Sequence, residues 1–104
     1  MDISSKFRNA VFRSDIDGLA TLLEMGCSID APDDDGRSAL THAVIDCKYG
    51  IAKFLIDNGA NINIRDNFGV SPLHYAAQAN SPDIAEFLIA KGATVDAEDQ
   101  NGNT

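Results

Sequence analysis

Few residues in this 104-residue chain are of types that do chemistry, and their spacing decides what each can do. The densest carboxylate cluster is Asp33-Asp34-Asp35-Gly36. With Gly36 as the sixth residue of a calcium loop, ligands are required at positions 31 and 42, where Ala31 and His42 stand. The cage fails at both ends, and the segment reads as a solvated acidic turn. Asp66-Asn67-Phe68-Gly69 carries an Asn inside what would otherwise be a magnesium-binding Asp-Phe-Gly triplet, and no Gly-rich loop or catalytic-loop motif accompanies it. The two histidines, His42 and His74, and the two cysteines, Cys27 and Cys47, show neither zinc-site spacing nor a nucleophile's retinue of base and acid. The chain reads as no enzyme, with no metal and no cofactor.

The elements that hold these residues follow from periodicity. Ser71-Pro72 and Ser81-Pro82 each put a hydroxyl at a helix N-cap and a proline at the first helical position, where no N–H is lost. Two short helices are expected to start there. Leu73, Ala76 and Ala77 form the apolar face of the first, and Ile84, Phe87 and Leu88 that of the second. Gly92 ends the second helix, and Ala93 to Asp99 alternates as an extended arm that turns at Asn101-Gly102. The same pattern recurs at a fixed spacing. Gly26, Gly59 and Gly92 lie 33 residues apart (59 − 26 and 92 − 59), as do Leu22, Leu55 and Leu88, and Gly36, Gly69 and Gly102. Residues 33–65 and 66–98 are identical chiefly at turn, cap and core positions, which an array of stacked units holds fixed.

A period of 33 residues with Ser71-Pro72-Leu73-His74, Ala76-Ala77 and Gly-Ala at 59–60 and 92–93 resembles the ankyrin repeat. The resemblance covers nearly the whole chain. It implies an all-α fold, an α-solenoid of helix-turn-helix repeats with β-hairpin-like loops, as one domain with copies at 2–32, 33–65 and 66–98 and the start of an unfinished fourth at 99–104. It implies that His74 braces the turn, a task that Thr41 performs only in part. It also aligns Leu55 and Asn63 with the asparagine-hydroxylation pattern of ankyrin substrates, although both residues belong to the repeat in any case.

The first copy departs from the others as a terminal repeat does, because one of its faces meets water. It lacks the turn glycine, places Phe7 at the slot of Leu40 and Leu73, and has Arg8 and Asn9 at slots filled later by Thr41 and His74, then His42 and Tyr75. Asp15 is expected to cap its second helix, Leu19, Leu22 and Leu23 to face the core, and Gly18 to weaken that helix by ~1 kcal/mol relative to alanine. Cys27 takes the small buried slot of Ala60 and Ala93, and Cys47 falls in an inter-helix turn, so both read as reduced thiols. The third copy should present a face ready for a neighbour, implying self-association, a partner, or continuation into a longer array.

Net charge is −8 (8 basic against 16 acidic residues) with 44% hydrophobic content, which disfavours nucleic acid and anionic membranes and favours a basic protein partner. With neither a basic leader nor a long apolar run, a soluble cytoplasmic location is expected. Binding is then expected at positions the repeat does not need for its own fold. On the ridge of first helices these are Phe12, Arg13, His42, Ile45, Asp46, Tyr75 and Gln78, with His42 pointing outward into solvent. At the tips they are Asp34, Asp35, Arg37, Arg65, Asn67, Phe68 and Val70, with Phe68 as anchor. The function read from this pattern is a non-catalytic protein-binding module. The alternatives are a purely structural stretch of a longer solenoid or a small acidic inhibitor of a basic partner.

Overall fold

The computed structural model describes residues 3–95 as six helices: α1 (Ile3–Phe12), α2 (Ile16–Glu24), α3 (Ala39–Ile45), α4 (Tyr49–Asp57), α5 (Pro72–Gln78) and α6 (Pro82–Ala90). They pair as α1 with α2, α3 with α4 and α5 with α6. The first helices stack in a row, α1 on α3 and α3 on α5, with α4 against α6 behind them. No strand occurs among the described residues, so the expected extended arms and hairpins are turns that carry no ladder. The arm beyond Val95, its Asn101-Gly102 turn and the fourth copy lie outside the described residues.

Helices of seven to ten residues are too short to persist alone, so packing and caps hold them. The Oγ atoms of Ser38 and Ser71 accept from the N–H of Thr41 and His74, and the Asp15 carboxylate accepts from Gly18 N–H. Ser81 departs from expectation. It occupies the N-cap position of α6, but its side chain makes no capping bond and its Oγ lies 2.9 Å from Cys47 Sγ of the preceding repeat. Gly18 also gains a reason: a Cβ there would sit 2.4 Å from Oδ2 of the Asp15 carboxylate whose Oδ1 caps the helix, so the missing side chain that loosens the helix also makes room for its cap.

All six helices close the same way, with the N–H two residues past the C-cap bonding back into the last turn, as in Lys48 to Ala43 O at 2.8 Å and Ala93 to Leu88 O at 2.9 Å. This closure needs a residue of positive φ between. Gly26, Gly59 and Gly92 supply it after the second helices, but Ser14, Cys47 and Asn80, at φ 54 to 57, take it after the first.

Stacking creates one continuous core. Val11, Leu19, Leu40, Val44, Leu55 and Leu88 are fully buried, and Phe7 fills the first repeat's version of the leucine slot. The equivalents of Leu40, Val44 and Ala52 one repeat on, Leu73, Ala77 and Ala85, are not fully buried. Ala77, expected on the apolar face of α5, is exposed for this reason.

Neighbouring repeats are also stitched by their turns. Asn61 N–H donates to Asp30 Oδ1 (2.9 Å) and Thr94 N–H to Asn63 Oδ1 (2.8 Å). At the tips, Asn67 N–H donates to Asp35 O (2.9 Å) and Asn67 Nδ2 to Asp34 O (3.0 Å). Gly36 is part of that junction, with φ +75 and a backbone N of Asn67 2.7 Å from where a Cβ would stand. Gly59 has a comparable φ of +94 but nothing within 4 Å. Gly36→Ala should therefore cost clearly more than Gly59→Ala, about 2–3 kcal/mol against about 1 in urea unfolding. Equal costs would mean that the tips are not packed on one another.

Candidate functional site

Each tip is built on a carboxylate. Asp33 Oδ1 accepts from the N–H of Asp35 (2.9 Å) and Arg37 (3.0 Å), and Asp66 Oδ1 from those of Phe68 (2.9 Å) and Val70 (3.0 Å). The second oxygen of each reaches the first helix nine residues on. Asp33 Oδ2 lies 2.6 Å from His42 Nε2, and Asp66 Oδ2 accepts the Tyr75 hydroxyl. Arg37 Nε adds an ion pair to Asp66 Oδ2 at 3.5 Å, and its Nη1 lies 3.7 Å from Asp35.

Electrostatics follow from these contacts. Burial would push the Asp66 carboxyl up, but the Tyr75 hydroxyl, the two turn N–H groups and Arg37 together hold it below the usual carboxylate value. Burial works the same way on Asp33, where His42 and the N–H groups of Arg37 and Asp35 prevail and hold its carboxyl low. Tyr75 is pushed up by burial and by its bond to Asp66, so the phenol stays protonated and donating.

These contacts correct several expectations. His42 does not point into solvent; it is half-buried, tied to Asp33, with its ring edge-on to Phe12 at 5.7 Å. Val70 is buried at 9% exposure and its N–H and C=O both close the turn onto Asp66, so it presents no docking side chain. Arg37, Asn67 and Tyr75 are not spare positions either, since each holds a tip in place. His74 is buried, with Nδ1 2.8 Å from the capping Ser71 Oγ; Thr41 makes the lesser version of that contact, Oγ1 at 3.2 Å from Ser38 Oγ.

What remains outward forms a surface. Phe68 is 49% exposed, and the Arg37 guanidinium lies 5.6 Å from its ring centroid and 5.7 Å from that of Tyr75. Beside this cluster, between α3 and α5, runs an open groove of about 320 Å³ lined by Arg37, Ile45, Tyr75, Gln78 and Ala79. Asp34, Asp35 and Asp46 are exposed near its ends, and Arg65 is exposed with Nη1 3.3 Å from Gly69 O. Phe12 and Arg13 are exposed at the end of α1, one repeat away. Sequence reasoning missed the Asp33 and Asp66 clamps, although an Asp at the head of both tips, nine residues before a polar ring, was a readable signal. It also missed Lys48, whose Nζ lies 2.7 Å from Ser14 Oγ and 3.2 Å from Phe12 O.

A stability test follows from the clamps. A carboxylate whose native pKa is depressed contributes stability that is full above its unfolded value of about 3.9 and lost as pH falls through the native value. Acid unfolding of the chain should thus begin below about pH 4, and Asp66→Asn should flatten the pH dependence there while costing about 2 kcal/mol at pH 7. Urea melts at pH 3, 4 and 7 measure both; an unchanged slope would remove Asp66 from this role.

A sequence model of the family described as ankyrin repeats (3 copies) matches residues 7–99. A search of curated proteins finds no match.

Proposed function

The chain belongs to the ankyrin-repeat family, whose repeats are generally protein–protein interaction modules, and on that premise we propose that it holds a partner protein along the Phe68 tip and the groove between α3 and α5. The observation that carries this reading is Phe68. Phe68 is half-exposed at a tip and its ring meets only one face of Arg37, whereas its neighbours Asn67 and Val70 bond or bury. An aromatic braced by a guanidinium, next to a groove of mixed apolar and amide lining, has the composition of an interface anchor. Net charge −8 favours a basic partner and fast association with it, and disfavours nucleic acid and anionic membrane surfaces. Among the described residues no helix is long and apolar enough to cross a membrane. Ankyrin domains are typically non-catalytic, and this chain is read as a binder rather than an enzyme acting within the cytoplasm.

Phe68→Ala tests the reading while leaving the tip's hydrogen bonds in place, because Phe68 bonds Asp66 through its backbone alone, unlike a change at Tyr75, which would strip Asp66 of a donor. A protein captured by the wild-type chain should be lost with Phe68→Ala, by about tenfold or more in affinity, while the thermal melt falls by no more than about 5 °C, the cost of one exposed contact with Arg37. Equal capture by both chains would overturn the anchor.

A second reading is favoured by a different surface. Leu73, Ala77, Ala85, Ile89 and Val95 line an apolar groove of about 340 Å³, at positions whose equivalents in the preceding repeat are largely covered by stacking. Covered by a further repeat or a second copy, this face would make the chain a structural stretch of a longer solenoid. Light scattering distinguishes a monomer from a self-associated state, and Ile89→Glu should abolish the latter; a wild-type monomer at high concentration excludes self-association through this face.

A further inference from the structure

The two ends of the groove differ from the rest of the first-helix ridge in their charge. At the tip end, Arg37 stands between Asp35 and Asp66, so the three groups sum to one negative charge, and exposed Asp34 adds another. Arg37's own charge is already engaged by its neighbours and by two aromatic faces. At the other end Asp46 is exposed, at the C-cap of α3 beside Ile45 of the groove.

The corner at Asp46 has a counterpart one repeat earlier. There, the end of α1 is met by a cation of this chain: Lys48 Nζ sits on Phe12 O and Ser14 Oγ. Arg13 occupies the place equivalent to Asp46 (46 − 33), so that end is doubly basic. Move forward by one repeat and both cations are gone. Lys48 becomes Ser81, whose hydroxyl turns to Cys47, and Arg13 becomes Asp46. The end of α3 thus keeps its C-terminal carbonyls and gains a carboxylate, with no lysine of its own at the place that Lys48 holds for α1.

We propose that the groove takes an extended, basic segment of a partner protein, with an apolar side chain against Ile45 and Tyr75, one cation at Asp34 and Asp35, and a second cation at the end of α3 beside Asp46. This rests on the groove reading above and names the chemistry of its occupant. The seven residues of α3 span about 10 Å at ~1.5 Å each, and the chain before Ala39 carries Asp34 and Asp35 further from Asp46. That separation is matched by two lysines four residues apart in an extended chain, about 13 Å at ~3.3 Å per residue, with their long side chains reaching outward. The fitting pattern is an apolar residue with a basic residue two positions to either side. Gln78, exposed on the groove wall, is placed to bond the segment's backbone.

The test uses the whole chain, labelled with nitrogen-15, titrated with the blocked peptide Gly-Lys-Gly-Leu-Gly-Lys-Gly and with versions whose lysines are replaced by glutamate or by neutral norleucine. The lysine peptide should shift the amides of Ile45, Asp46 and Gln78, and the glutamate peptide should bind at least about fivefold more weakly. Two variants check the end of α3: Asp46→Asn removes the acid, and Ser81→Lys supplies the cation that Lys48 gives to α1. Each should weaken the lysine peptide by about two- to fivefold, a typical exposed charge pair, and leave the norleucine peptide unchanged. Asp46→Asn alters only an exposed side chain, so it serves should Ser81→Lys fold poorly. If the lysine and norleucine peptides bind equally at Ile45, the groove reading stands and the basic partner falls. If the lysine peptide moves no groove amide, or if neither variant alters its binding, the proposal is overturned.

Discussion

The tips, and through them the proposed binding surface, depend on a carboxylate that performs two tasks with two oxygens. In each tip one oxygen of Asp33 or Asp66 gathers two turn N–H groups that would otherwise be left without partners, and the other oxygen fastens the turn to the first helix nine residues later. The tip is thereby oriented by the helix it precedes. Asn67 then bonds the carbonyls of Asp34 and Asp35, so each tip is also held to its neighbour. Because the acid is ionised while its surroundings are partly dry, the arrangement holds only while every lone pair is met by a donor.

The same set of contacts shapes the proposed docking face. Tyr75, turned toward Asp66 by its hydroxyl, presents the flank of its ring to the groove, and Arg37 lies against that ring and against Phe68. An apolar rigid wall results from residues recruited for a polar purpose. Arg37 contributes little outward positive charge, since two carboxylates lie within 3.7 Å of its guanidinium nitrogens. The surface that remains is aromatic, amide-bearing and flanked by exposed carboxylates.

Repetition tolerates local strain where the closure of each helix pair demands it. Ser14, Cys47 and Asn80 adopt the left-handed conformation at equivalent places, though only Asn is well suited to it. The bond from the following residue back to Ala10, Ala43 or Ala76 is what the conformation secures. The side chains there are consequently free to differ, and they do: Ser14 meets Lys48, and Cys47 meets Ser81.

By itself the sequence determined the repeat, its period, the six helices, the cap roles of Asp15 and Ser71, and the burial of Leu19, Leu40, Leu55 and Leu88, because these depend on local spacing that a helix or a turn translates directly into position. The tertiary structure alone decided the partners of the polar residues. Whether His42 met water or Asp33, whether Ser81 capped its helix or joined Cys47, and whether Val70 faced out or closed a turn depended on groups nine to thirty-four residues away or on the path of the backbone itself. Apolar burial is set by periodicity because it lacks direction. Hydrogen bonds require a partner at about 3 Å and in line, and only the packed repeats bring those atoms together.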